Sequence, residues 1–128
     1  MITVFSKRTK RIIYQVRHYF IFGWKDKRVL SISNQDVLFK LLIKMNNNLK
    51  KYPASPLLIH CNTGIGRTGV LMCIYEIYND FLRAKENNTT FKFSIFDTVL
   101  RLRYMRKSII ETKEQYAFIY RFVNKYLK

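Results

Sequence analysis

His60-Cys61-Asn62-Thr63-Gly64-Ile65-Gly66-Arg67-Thr68-Gly69 sets a cysteine, two turn-forming glycines and an arginine between two apolar runs. The run before it, Pro56-Leu57-Leu58-Ile59, predicts a short buried strand. The run after it, from Gly69 to about Arg83, predicts a helix with Val70, Leu71, Ile74, Ile77, Tyr78, Phe81 and Leu82 on one stripe. Backbone N–H groups at a helix N-terminus lack intrahelical partners and point at whatever sits there. Curling the preceding residues, Asn62, Thr63, Gly64, Ile65 and Gly66, adds more N–H groups and forms an anion nest. Gly64 and Gly66 permit the crowded or left-handed backbone such a nest requires. The same positive field lowers a thiol pKa, so Cys61 reads as a thiolate nucleophile at neutral pH. Arg67 offers a planar fork for two phosphoryl oxygens. Thr68 can donate its hydroxyl toward the sulfur, and His60 reads as a loop-ordering residue rather than a base.

Two blander readings compete. Cys61 could be an inert buried thiol beside an ordinary glycine turn, but that leaves the joint presence of His60, Arg67 and Thr68 to coincidence. Gly64-Ile65-Gly66-Arg67-Thr68-Gly69 also satisfies the dinucleotide pattern G-x-G-x-x-G. That reading leaves His60, Cys61 and Arg67 unexplained, and it lacks a second strand ending in an acidic residue at the usual distance.

The loop resembles the signature of the protein tyrosine phosphatases, H-C-x-x-G-x-G-R-[ST]-G. Two further stretches agree in order. Val16-Arg17-His18-Tyr19-Phe20-Ile21-Phe22-Gly23-Trp24-Lys25-Asp26 resembles the strand and mobile loop that carry the family's W-P-D acid. Arg103-Tyr104-Met105-Arg106 through Glu111-Thr112-Lys113-Glu114-Gln115-Tyr116 resembles its R-x-x-R and Q-T-x-x-Q segment. The resemblance runs from about residue 2 to 126 and corresponds to the C-terminal half of the usual domain. It implies that Cys61 attacks phosphorus to form a phosphocysteine and that Asp26 protonates the leaving phenolate. It further implies that Gln115, with residue 111, positions the hydrolytic water, and that Arg67 with the loop N–H groups stabilises phosphoryl charge. Arg103 and Arg106 brace the loop on this reading, or lie at the surface; Gln115 serves the water, or only the cap of its helix. No metal or cofactor is implied.

The departures are specific. Lys25 stands where the family has proline, which would fix φ and stiffen the loop, and Arg28 and Leu30 replace the usual Gly and Pro. Glu111 stands where the family has Gln, and a carboxylate beside a phosphate dianion is repelled unless protonated or paired. Arg106 or a nearby lysine is expected to screen it. The family's N-terminal half, with its phosphotyrosine-stacking loop, has no counterpart here, so a second copy or a partner chain is a candidate for supplying it.

At 128 residues the chain reads as one domain, 1–128, a partial tyrosine phosphatase domain. Lys and Arg number 24 against 8 acids, a net charge of +16, which attracts phosphopeptides and, without any supporting motif, nucleic acid or acidic lipid. The basic residues are spread out, at Lys7 to Arg11, Lys25 to Arg28, Lys50-Lys51 and Arg101 to Lys107. Cys61 and Cys73 form no disulfide framework; Cys73 reads as helix packing, or as a resolving thiol under oxidation. With no transmembrane-length run or signal-peptide core, and a thiolate needing reduction, the expected location is cytoplasmic.

Ile2 to Phe5 and Ile12 to Phe22 predict strands around a basic turn, Ser6 to Arg11. Ser33-x-x-Asp36 predicts a capping box opening a helix to about Asn48, with Val37, Leu38, Leu41, Leu42, Met45 and Leu49 inward. Ser94-x-x-Asp97 opens another with Phe96, Val99 and Leu100 inward. Thr112-x-x-Gln115 opens the last, with Tyr116, Ile119, Tyr120, Val123 and Leu127 inward. The expected fold is α/β: a short mixed sheet with helices, the Cys-x5-Arg loop between strand and helix, and one exposed sheet edge that invites dimerisation. The functions that fit are a tyrosine phosphatase of reduced activity and a phosphoprotein-binding pseudophosphatase. Two others fit less well. An RNA 5′-phosphatase loop resembles H-C-T-H-G-x-N-R-T-G, from which Asn62, Thr63 and Gly66 depart. A basic nucleic-acid binder would leave the loop vestigial.

Overall fold

A computed structural model describes residues 2–5 and 12–128. The expected basic turn at residues 6–11 lies outside the described residues. Strands β1 (Ile2–Phe5) and β2 (Ile12–Val16) pair antiparallel, with Ile2 opposite Val16 and an irregularity at Val4/Phe5. Four helices follow: α1 (Ile32–Lys51), α2 (Gly66–Glu86), α3 (Ile95–Met105) and α4 (Lys113–Tyr126). The described chain is thus mostly helical, with a two-stranded antiparallel sheet in place of the expected mixed one.

Helix α2 is the centre. It buries Val70, Cys73, Ile74, Ile77, Tyr78 and Phe81 and packs against α3 and α4. Helix α4 presents Phe118, Ile119, Phe122 and Val123 at i, i+1, i+4 and i+5, a single apolar stripe, all buried to 1% exposure or less. Helix α1 buries Leu38, Leu42 and Met45. It is tied on by Phe39, which stacks on Tyr126 and meets Tyr78 edge-on, and by a Lys50–Glu86 ion pair. Trp24 and Leu30, from the segment before α1, enter the same core.

Several expectations are corrected. The predicted buried strand Pro56–Ile59 forms no regular element and has no strand beside it among the described residues, and Leu58 is 84% exposed. An apolar run becomes a strand only when a neighbour takes its backbone groups. Leu58 and Ile59 instead border an apolar groove with Met72, Leu102 and Met105. Strand β2 ends at Val16 rather than Phe22, and Phe20 and Phe22 are exposed. Helix α1 begins after Ser31, with no side-chain cap, so Ser33 and Asp36 form no capping box. In α3 the buried stripe is Ile95, Thr98, Val99 and Leu102, which turns the expected Phe96 and Leu100 outward. Val37 and Tyr120 lie off their stripes in the same way and are exposed. The caps of α3 and α4 are as read: the Ser94 hydroxyl accepts from Asp97 N, and Thr112 with Gln115 makes a reciprocal capping box.

One glycine is fixed by close approach. A Cβ on Gly69 would stand 2.5 Å from Ile109 Cγ1 and 2.8 Å from the Ile110 nitrogen. Backbone cannot yield as a side-chain tip can. Gly69→Ala is therefore expected to cost roughly 1–3 kcal/mol of stability. Thermal unfolding should show a midpoint lower by roughly 3–10 °C; an unchanged midpoint would mean that the 109–110 segment moves freely.

Candidate active site

The site is the turn that feeds α2. Gly64 has a φ of +70°, the left-handed conformation its lack of a side chain permits, and this turns the Gly64 N–H toward Cys61 Sγ at 3.2 Å. Burial raises the Cys61 thiol, but the Thr68 hydroxyl and the amides of Thr68, Gly64 and Ile65 outweigh it, and its pKa falls to about 7. The Thr68 hydroxyl faces the sulfur without closing a well-formed hydrogen bond, so it stays buried with no partner. Cys73 is the contrast: burial, aided by the negative charge of Glu76, pushes its thiol up to about 12.

Arg67 spans the gap to the acid-bearing loop. Its Nη1 donates to the Trp24 carbonyl at 2.8 Å and its Nη2 to Asp26 Oδ1 at 3.0 Å. Trp24 is anchored in turn, its ring packed on Phe118 and its Nε1 donating to the Arg28 carbonyl at 3.0 Å. The Arg67 Nε is buried without a partner.

The rear of the loop is braced by both predicted arginines. Arg106 Nη2 donates to the Thr63 carbonyl at 3.0 Å. Arg103 holds the carbonyls of Ile109 and Ile110 at 3.2 and 3.3 Å, and the Ile110 N–H donates to the Ile65 carbonyl at 3.2 Å. Ile110 has a φ of +63°, unfavourable for a β-branched residue, and it is 2% exposed. That conformation is held by bonds at both ends of the residue, to the loop on one side and to Arg103 on the other. Sequence reading missed Ile109 and Ile110 because no pattern marks a strained apolar pair.

Gln115 is fully buried, and its Oε1 is taken by the N–H groups of Glu111 and Thr112 at 2.9 and 3.2 Å. Its amide nitrogen has no partner and faces Gly66. The cap and the site role are therefore compatible: the oxygen serves α4 and the nitrogen remains free. Glu111 Oε2 also faces Gly66, while Oε1 pairs with Lys27 at 3.4 Å. The screening charge for Glu111 is thus Lys27, with Arg106 committed to Thr63. His60 is exposed, with Nδ1 beside the Cys61 carbonyl at 3.4 Å and its ring parallel to that of His18. Asn62 and Thr63 are exposed and Ile65 half-buried, completing the loop.

A sulfur with a lowered pKa, a half-buried arginine fork and a carboxylate over one loop form a constellation suited to holding an anion and supplying a proton. The sequence model described as protein-tyrosine phosphatase matches residues 2–125. The chain belongs to the protein-tyrosine phosphatase family. Tyrosine-protein phosphatase non-receptor type 20 of Mus musculus is 40% identical over 74 residues, 58% of this chain and 16% of that protein. Tyrosine-protein phosphatase non-receptor type 18 of Homo sapiens is 31% identical over 114 residues, 89% of this chain and 23% of that protein. Tyrosine-protein phosphatase 69D of Drosophila melanogaster is 29% identical over 107 residues. The chain spans less than a quarter of the length of these relatives. Among the described residues, no helix is long and apolar enough to cross a membrane.

A thiol with its pKa lowered to about 7 has a visible consequence. Alkylation of Cys61 by iodoacetamide should rise about tenfold per pH unit below pH 7 and level off above it, because only the thiolate reacts. Thr68→Val removes a donor that favours the thiolate, so the inflection should move to higher pH. An inflection unmoved in that variant would assign the shift to the loop amides alone.

Proposed function

We propose that this family member hydrolyses phosphotyrosine in proteins through a phosphocysteine intermediate. The observation that carries the reading is the Cys61 sulfur held by the Gly64 amide at 3.2 Å, in a loop that also holds Arg67 and, through it, Asp26. In the first step Cys61 Sγ attacks phosphorus, the P–O bond to the tyrosine breaks, and Asp26 gives its proton to the departing phenolate. Arg67 and the loop amides hold the equatorial oxygens, where charge is spread. In the second step a water attacks phosphorus, the P–S bond breaks, and the thiolate returns as Asp26 takes the water's proton. The unpartnered Gln115 amide nitrogen is the group suited to orienting that water.

The defining experiment is phosphate release from a phosphotyrosine peptide and from nitrophenyl phosphate. Asp26→Ala should lower kcat by roughly 10²-fold on the peptide. The loss should be smaller on nitrophenyl phosphate, whose leaving group needs little protonation. Equal losses on both substrates would remove Asp26 from the acid role. A second reading, a phosphoprotein binder without turnover, is favoured by one observation: Asp26 is paired with Arg67 and so competes with a phosphate for the guanidinium. It predicts a bound phosphopeptide and no released phosphate.

A further inference from the structure

The ion pair between Lys27 and Glu111 joins the acid-bearing segment to the residue just before α4, and the chemistry above does not use it. Lys27 follows Asp26 directly and has a φ of +57°. Glu111 stands on a fixed post. Its N–H donates to the fully buried Gln115, and the preceding Ile110 is pinned to Ile65 and Arg103. Its other carboxylate oxygen faces Gly66 at the head of α2.

Among the described residues, the acid segment is tied to the anion loop itself by the fork of Arg67 on the Trp24 carbonyl and Asp26. A phosphoryl group entering the loop takes part of that fork, because a guanidinium has a fixed number of donors. The Asp26 contact is the one in competition. Lys27–Glu111 makes no demand on Arg67 and stays available when phosphate is bound. Position 25 is lysine, so no proline ring stiffens the segment in its place. Pairing with Lys27 also offsets the negative charge that Glu111 brings beside the anion loop.

We propose that Glu111, acting through Lys27, is a positioning residue that keeps Asp26 over the anion loop while Arg67 is occupied by the phosphoryl group. This rests on the reading of Asp26 as the proton donor. The pair is exposed, 67% at Lys27 and 29% at Glu111, so its effect is modest and sensitive to salt.

Trp24 is the single tryptophan, 7% exposed and on the same segment, so its fluorescence follows that segment without any turnover. Acrylamide quenching of Trp24 would be measured with and without vanadate, in wild type, Lys27→Met, Glu111→Gln, the double variant and Lys27→Arg. With vanadate bound, each single variant should be quenched roughly two- to fivefold more than wild type, as expected for loss of an exposed ion pair. The double variant should match the singles, Lys27→Arg should resemble wild type, and 0.5 M NaCl should reproduce the effect. On phosphotyrosine peptide, kcat should fall by the same factor with KM little changed. Quenching that is unchanged in the single variants, or effects that add in the double, would overturn the proposal. Glu111 would then act only by repelling the anion. If no protein turns over but the Trp24 pattern holds, the positioning contact stands and the acid reading falls.

Discussion

Cys61→Ser is expected to end phosphate release, by at least about 10⁴-fold, while phosphotyrosine peptide still binds. The proposed reactivity of the sulfur follows from the Thr68 groups and the Gly64 and Ile65 amides, which together bring the thiol to a pKa of about 7. The same donors cannot ionise an alcohol at neutral pH, since its pKa begins far higher. The substitution keeps size and shape, and Cys61 is only half-buried, so the loop and α2 should persist. Binding should persist too, because the proposed mechanism has the anion held by Arg67 and the loop N–H groups rather than by the sulfur. Phosphate release paired with calorimetric titration of the peptide separates the two effects. Turnover retained in Cys61→Ser would place the nucleophile elsewhere and sink the phosphocysteine mechanism.

The residues that were legible in the sequence are those whose role is local. The turn at Gly64, the cysteine and Arg67 lie within one short stretch, and chemistry alone limits what such a stretch can do. The caps at Ser94 and Thr112 are legible for the same reason, because donor and acceptor are three residues apart. The strand predicted at Pro56–Ile59 failed because a strand is a relation between segments, and no described strand lies beside it. Phe96 and Leu100 were misassigned by one step around a short helix, where apolar residues on two adjacent faces leave the buried stripe undecided. Phe118 and Phe122, fully in the core, were passed over in favour of the neighbouring tyrosines. A screening lysine for Glu111 was expected, but that it is Lys27 was not legible, because an ion pair between distant segments leaves no period in the chain. The departures at Lys25 and Glu111 could be read singly as losses. Only the fold brings Glu111 to Lys27, two residues beyond the missing proline.

Arg67→Lys is expected to lower kcat/KM by roughly 10³-fold, near the upper range for removal of a transition-state donor. It keeps the charge and changes the geometry, so it separates the two. The guanidinium holds two groups here and has a donor to spare: Nη1 holds the Trp24 carbonyl at 2.8 Å, Nη2 holds Asp26 at 3.0 Å, and the buried Nε has no protein partner. An ammonium is one point of charge and cannot fork between a carbonyl, a carboxylate and a phosphoryl oxygen. Lysine must therefore choose, and either choice weakens catalysis. If it turns to the phosphate, the Trp24 carbonyl and Asp26 both lose their donor and the acid segment loosens, which lowers kcat. If it stays with Asp26, phosphate binding weakens and KM rises. Fluorescence of Trp24 distinguishes these, since in the second outcome the Asp26 contact still holds the segment down and the ring stays more protected. Thermal unfolding near that of wild type would show that the fold is kept. A loss of less than tenfold would mean that charge alone suffices at this position, and that the loop amides carry the phosphoryl group without a fork.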